Sequence, residues 1–277
     1  MPEDHYARSG PRWALGAELV YGPIAAELVA TCPHPLAGRT VLDAGAGTGA
    51  AGAALCGAGA RTLAVDLSHA MLAWQAATRP PCAVADVRAL PLRSGSVDDC
   101  VAAFVLNHLT DPGAGFAELT RVTRPGGAVL AAVFGTDSSS AARDRIDAAA
   151  SAAGWQVPAW YRELKAAALP LLGTAAQMAA AAAAAGLVSV HAEERAVDVG
   201  IAEPGALVRY RLGHPAFADW LDAIGPRCAA GVTAAAERAV GDTMEPYRPT
   251  VVFLRARRAG ASYPQPAGPA GSEPDLS

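Results

Sequence analysis

From Arg39 onward, short apolar runs alternate with stretches of helical periodicity. Val41-Leu42 leads into Gly45, Leu63-Ala64-Val65 ends at Asp66, and Ala83-Val84-Ala85 ends at Asp86. Two longer apolar runs follow, Cys100 to Leu106 and Ala128 to Phe134. The intervening segments predict helices over Ala50 to Cys56, over Ser68 to Ala77 with Ser68 as N-cap, and over Asp111 to Val122. The last has Asp111 at the cap, Pro112 in the first turn, and Phe116, Leu119 and Val122 along one face. Apolar runs bounded by turns and separated by helices predict a parallel sheet covered on both faces.

The flanking regions read differently. Leu15 and Leu19 repeat at helical spacing, Gly22 is expected to break that run, and Pro23 to open a second one carrying Ile24, Leu28 and Val29. Thr31 to Leu36 is a linker, and Gly135 to Ser140 a hinge after the fifth strand. Ala141 to Gly186 is Ala-rich and helical, with an aromatic island at Trp155, Trp160 and Tyr161. Strand patterns return at Leu187 to Val199 and Thr250 to Arg255. The organisation expected is an N-terminal helical cap (1–36), a ligand-binding half of the sheet (37–135), a helical lid insertion (136–186), strands and helices completing the sheet (187–258), and a disordered tail (259–277).

Composition changes this picture little. The chain of 277 residues is 52% hydrophobic and 17% charged, with a mean hydropathy of +0.22. Its longest uncharged stretch, Ala166 to Val190, could span a bilayer by length. Pro170, Gly173 and Gly186 interrupt it, however, and its middle is a run of alanines, which gain little from lipid. Glu3, Asp4, His5 and Arg8 precede Trp13 with no apolar core segment of a secretory signal, so a cytoplasmic protein is expected. The 5 cysteines are widely spaced and lack any C-x-x-C pair, which argues against a disulfide framework or a zinc site; no metal is expected. A net charge of -4 with no long basic run gives no electrostatic footprint for nucleic acid.

The strongest local signal is Val41-Leu42-Asp43-Ala44-Gly45-Ala46-Gly47-Thr48-Gly49: a strand ending in an acid, a glycine-dense turn, then a helix. Gly47, Gly49 and Gly52 also spell G-x-G-x-x-G, which keeps a nicotinamide-dependent oxidoreductase open. Three acids favour a different ligand. Asp43, next to the glycines, repels a pyrophosphate and suits a cationic head. Asp66 ends the next strand, where a carboxylate accepts both hydroxyls of a ribose. Asp86 is placed to accept from an exocyclic amine while the Val87 amide meets a ring nitrogen. Such a set matches an adenosine joined to an amino acid.

With these blocks, and with Ala64 to Leu72, Ala85 to Leu92, Ser96 to Leu109 and Arg121 to Val129 in order, the sequence resembles the class I S-adenosylmethionine-dependent methyltransferases over about residues 38 to 135. The resemblance implies an α/β fold: a doubly wound, seven-stranded, mostly parallel sheet whose last strand is antiparallel, with an inserted helical lid. It implies that the backbone around Gly45, Ala46, Gly47 and Gly49 and the carboxylate of Asp43 meet the methionine moiety. Asp66 would hold the ribose, Leu67 and Met71 would pack on the nucleoside, and Asp86 with Val87 would read adenine.

Methyl transfer is an in-line displacement at an activated carbon, so the protein supplies alignment, desolvation and, for some acceptors, a base. His108, near the end of the fourth strand, is either that base or a residue shaping the pocket. Asn107 is expected to orient the cofactor or a substrate oxygen, and His214 to contact substrate. Trp155, Trp160 and Tyr161 either line an apolar acceptor pocket or pack between lid helices. Arg209, in Arg209-Tyr210-Arg211, either neutralises an acidic substrate or belongs to a solvated face, and His5 and Tyr6 either close over the site or are disordered. The fourth strand lacks the Asn/Asp-Pro-Pro-Tyr/Phe motif of enzymes that methylate base amino groups. The expectation is O- or C-methylation of a small, lipophilic metabolite, with a non-methylating step such as a cyclisation as the alternative. Oligomeric state is open between monomer and homodimer.

Overall fold

The computed structural model describes residues 4–7, 10–242 and 244–260; the expected tail lies outside the described residues from position 261 onward. In chain order the elements are α1 (Gly10–Ala30), β1 (Thr40–Ala44), α2 (Ala50–Gly57), β2 (Arg61–Asp66), α3 (His69–Ala73), β3 (Cys82–Val84), β4 (Asp99–Ala103), α4 (Pro112–Val122) and β5 (Ala128–Phe134). Then come α5 (Ala141–Ala152), α6 (Ala159–Ala167), α7 (Leu169–Leu172), α8 (Ala175–Ala184), β6 (Leu187–Ala196), α9 (Pro204–Leu212), α10 (Pro215–Val240) and β7 (Thr250–Arg258). All seven strands form one sheet in the order β3-β2-β1-β4-β5-β7-β6. Only β7 runs antiparallel to its neighbours, as the sequence resemblance implies.

Successive strand residues face opposite sides, and the two sides carry separate cores. Val41, Val101, Leu130 and Phe253 pack under α1, α2, α5, α9 and α10. Leu42, Cys100, Val129 and Leu254 pack under α4, α7 and α8. At the amino edge of the sheet the buried Asp99 accepts from Arg39 at 2.6 Å and from the Ala128 amide at 2.7 Å, tying three segments together. At the carboxyl edge the chain leaves each parallel strand into a loop, and ligands of such sheets bind there.

Three expectations change on inspection of the helices. First, α1 is a single helix through Gly22 and Pro23, and the Leu15/Leu19 face is the exposed one. Its buried stripe is Trp13, Ala17, Val20, Ile24 and Leu28. Pro23 removes one hydrogen bond, to Leu19 on the solvent side, whereas fully burying Ile24 and Leu28 stabilises the helix by about 1.5–3 kcal/mol each. Second, the fourth strand stops at Ala103 rather than Leu106, because the apolar run continues into a tight turn. Third, only α6 of the Ala-rich segment borders the cavity, and the alanine run itself does not. Helix α8 starts at a Thr174–Gln177 capping box, and its Met178 and Ala182 are buried against α4, β6 and β7 on one sheet face, while α5 covers the other.

Helix α1 is also the one described helix long and apolar enough to cross a membrane by itself; half of its apolar window is buried inside the protein.

The fit of α1 against α9 depends on a missing side chain. A Cβ on Gly16 would lie 2.6 Å from the Arg209 carbonyl oxygen and from Tyr210 Cα, so the two backbones touch. Gly16→Ala is expected to push the helices apart and destabilise the protein by about 1–3 kcal/mol, roughly 3–10 °C in Tm. Gly231→Ala, in open space on α10, is expected to be neutral or to stabilise by up to about 1 kcal/mol. Thermal unfolding of both variants checks this; equal Tm values would show that the α1–α9 contact is not tight.

Candidate active site

The floor of the site begins where β1 ends. Gly45 takes φ +73°, and a Cβ there would lie 2.3 Å from Val105 Cβ. Only glycine lets the end of β1 turn so close to the chain leaving β4. The Gly45 and Ala46 amides donate to the Val65 carbonyl at 2.8 and 2.9 Å, laying the loop across the end of β2. Asp66 then accepts from the Gly47 amide and the Ser68 amide, both at 2.8 Å. Its carboxylate is locked in orientation while lone pairs remain for a ligand hydroxyl. From the far side Arg79 donates to the Gly47 and Met71 carbonyls at 2.8 and 2.9 Å, holding the loop to α3. Arg79 was not singled out from the sequence; the only local cue is an arginine before Pro80-Pro81 at the entry to β3.

Asp43 lies beneath this loop, 1% exposed. Neither of its oxygens has a hydrogen-bond partner at close range. Burial pushes its carboxyl up to about 7, against the pull of the Arg79 guanidinium and the Gly52 amide. Asp66 is raised too, by burial, although the Ser68 and Gly47 amides oppose the shift.

Above the floor is a cavity of about 680 Å³. Gly45, Ala46, Gly47, Asp66, Leu67, Met71, Asp86 and Val87 line it; Asp43, Gly49 and Asn107 do not. Asn107 keeps a buried Oδ1 without a partner. Asp86 is gripped by Arg88 at 2.6 Å, which holds its carboxyl below the usual range, so an adenine amine has to share that carboxylate with a guanidinium.

The opposite wall is aromatic and comes from the N-terminal segment, α1, the end of β4 and α6: Tyr6, Trp13, Tyr21, Phe104 and Trp160. Phe104 sits at φ +61°, a strained conformation for an aromatic residue. Its ring is clamped edge-on by Tyr21 at 4.7 Å and at a tilt by Phe134 at 4.5 Å. His5 stacks on Trp160 at 4.3 Å, so the residues His5 and Tyr6 do close over the site.

The other sequence candidates separate. His108 lines the cavity, its ring 5.9 Å from that of Tyr6. Burial lowers it to about 4, so it is neutral at pH 7. His214 is the N-cap of α10: Nδ1 accepts from the Ala216 amide at 3.1 Å, and the ring packs on Tyr161 at 4.8 Å, behind the wall. Trp155 is 4% exposed, donates to the Ala216 carbonyl at 3.0 Å and stacks on Phe217 at 4.1 Å; it is a packing residue. Trp160 faces the cavity, Tyr161 does not, and Arg209 is on the exposed face of α9. Among the described residues no group of three metal-ligating side chains occurs.

A locked strand-end carboxylate, a glycine cradle and a cation-seeking carboxyl below it suit a nucleoside bearing a positively charged amino-acid arm. Residues 42–131 match the family described as a methyltransferase domain. Over that segment, and in its sheet order, the chain is similar to the class I S-adenosylmethionine-dependent methyltransferases. The demethylmenaquinone methyltransferase of Mycolicibacterium vanbaalenii is 39% identical over 99 residues, 36% of this chain and 43% of that protein. The protein of the same name from Mycolicibacterium paratuberculosis is 35% identical over 140 residues, 50% of this chain and 53% of that one. The chain thus spans about half the length of the curated relatives it matches. Among solved structures, phosphoethanolamine N-methyltransferase 2 of Haemonchus contortus, in complex with S-adenosyl-L-methionine, superposes with a TM-score of 0.55 at 19% identity, over 85% of this chain and 52% of that one.

The raised Asp43 carboxyl has a sign that can be measured. Without ligand the folded state keeps a proton that the unfolded chain gives up at about 3.8, so stability falls as pH rises from about 4 to about 7. A cationic group on the loop favours the ionised form. Cofactor affinity is therefore expected to rise with pH up to about 7 and level off above it, with proton release on binding near pH 6. Calorimetry in buffers of different ionisation enthalpy measures the release. Asp43→Asn should abolish it, and an unchanged release in that variant would remove Asp43 from the account.

Proposed function

We propose that this protein transfers the methyl group of S-adenosylmethionine to an oxygen or carbon of a small, lipophilic acceptor. One observation carries the reading: the cavity has two unlike sides, a polar floor built on the Gly45 loop and Asp66 and an aromatic wall of Tyr6, Trp13, Tyr21, Phe104 and Trp160. The floor residues would hold the nucleoside and amino-acid parts of the cofactor, whose sulfonium supplies an activated methyl carbon. The wall is suited to receive the apolar body of an acceptor and to keep water from the methyl group. The name carried by the relatives, with its quinone acceptor, supports a lipophilic substrate of this kind.

The state of His108 narrows the chemistry. A neutral imidazole whose conjugate acid titrates at about 4 takes a proton from an ordinary phenol, near 10, only at a cost of about 8 kcal/mol. The acceptors served best are those that arrive ionised or lose their proton easily, such as phenolates and enolates. His108 then orients the acceptor by a hydrogen bond, and Tyr6, edge-on to its ring, helps hold it there. The reading carries a cytoplasmic location and no nucleic-acid partner, in line with the net charge of -4.

Incubation with methyl-labelled S-adenosylmethionine and a panel of acceptors, reduced demethylmenaquinone among them, is expected to yield a labelled lipophilic product. Asp66→Ala should weaken cofactor binding by roughly two orders of magnitude, the loss of a charged hydrogen-bond pair. His108→Asn should cost about tenfold or less in rate, well below the loss typical of a general base. Binding of NADH without binding of the sulfonium cofactor would overturn the reading.

A further inference from the structure

Behind the aromatic wall a row of packed tyrosines leads to a buried positive charge. Tyr21 lines the cavity, with its ring fixed by Phe104 and Phe134. The ring of Tyr210 meets it edge-on, with 6.2 Å between centroids. Tyr210 in turn packs on Tyr247 at 6.0 Å. Tyr247 accepts from Arg143 Nη1 at 3.2 Å. The bare contact of Gly16 with the α9 backbone brings Tyr21 and Tyr210 within reach of each other.

Arg143 is the unusual member. Its neighbour on α9, Arg211, is neutralised by Asp147 at 2.6 Å. Arg143 has no carboxylate within ion-pair distance among the described residues, and its Nε is buried without a partner. An uncompensated guanidinium in a desolvated setting projects a positive potential along the tyrosines. Burial keeps Tyr21 and Tyr210 protonated far above neutral pH, so both act as donors. Tyr21, which lines the cavity, therefore has a proton to offer to a ligand there. Elsewhere the cavity is lined by the carboxylates of Asp4, Glu18, Asp66, Asp86 and Glu163, and its arginine, Arg88, is held by Asp86. These carboxylates repel a negative oxygen, which favours the part of the cavity where Tyr21 and His108 offer neutral partners.

We propose that Tyr21 recognises an anionic or strongly polarised oxygen of the acceptor, a phenolate or enolate on an apolar ring, with Tyr210 and Arg143 as positioning residues behind it. The assignment rests on the methyl-transfer reading and adds to it the residue that holds the acceptor's oxygen and the place of that oxygen. A charged oxygen held there leaves the opposite side of the ring free to face the floor.

The test uses two naphthalene probes, 2-naphthol, whose oxygen can ionise, and 2-methoxynaphthalene, whose oxygen cannot, titrated by calorimetry into the full chain saturated with S-adenosylhomocysteine. The wild type is expected to prefer the naphthol by roughly tenfold or more. Tyr21→Phe should erase that preference, Tyr210→Phe and Arg143→Gln should shrink it, and Arg143→Lys should restore part of it. Affinity for S-adenosylhomocysteine within about twofold of wild type shows that a variant is folded; should Tyr21→Phe fail this, Tyr210→Phe carries the test. Equal affinity of the wild type for both probes, no binding of either, or an unchanged preference in the tyrosine variants overturns the proposal. A wild type that binds the naphthol selectively but not S-adenosylhomocysteine would instead refute the methyl-transfer reading and leave the Tyr21 assignment standing.

Discussion

The site depends on a backbone approach between two strands. Because residue 45 has no side chain, the end of β1 turns against Val105, and the loop it starts can lie across β2 and be pinned to Val65. That placement points the Gly47 amide at Asp66 and leaves Asp43 underneath with no partner of its own. The same approach presses on the other side, where the chain leaving β4 passes through the strained Phe104 before turning toward His108. A cofactor floor and an acceptor wall thus meet at one crossing of main chain. Strain of this kind persists only where surrounding packing over-determines it, and the rings of Tyr21 and Phe134 supply that packing.

The floor was legible in the sequence because every signal for it is local. An acid at a strand end, a glycine-dense turn and a capping serine each act within a few residues of themselves, and Asp66, Ser68 and Asp111 take the places their types demand. The wall was legible only in part. Trp155 and Trp160 are five positions apart, yet one is stacked on Phe217 in the core and the other on His5 at the cavity. Nothing in their immediate sequence separates them; the difference arises from how α6 meets the N-terminal segment. Tyr21, Tyr210 and Arg143 carry no local mark either, since their association is made by three helices from distant parts of the chain.

The misreading of the alanine run follows from a similar cause. Small side chains permit close packing against any partner, and the alanines alone do not say which. In the structure the partner is the sheet: α8 covers β6 and β7 through Met178 and Ala182, and the capping box at Thr174 sets where it starts. The cover of the cavity comes instead from the beginning of the chain and from α6. Likewise the Leu15/Leu19 spacing marks a genuine helix but its outer face, because Trp13, Val20 and Ile24 win the core.

Phe104 aside, the division between floor and wall also runs along the chain. Residues 42–131, which match the methyltransferase domain, contain Asp43, the glycine loop, Asp66 and Asp86. Tyr6, Trp13, Tyr21 and Trp160 all fall outside them. The two halves of the cavity can therefore diverge at different speeds, one bound to a single invariant molecule and the other free to follow whatever it is asked to accept. Kinship measured over the shared segment speaks for the donor of the methyl group. On the proposed function the choice of recipient falls to the segments outside it, which makes them the natural pieces to exchange between proteins of this architecture.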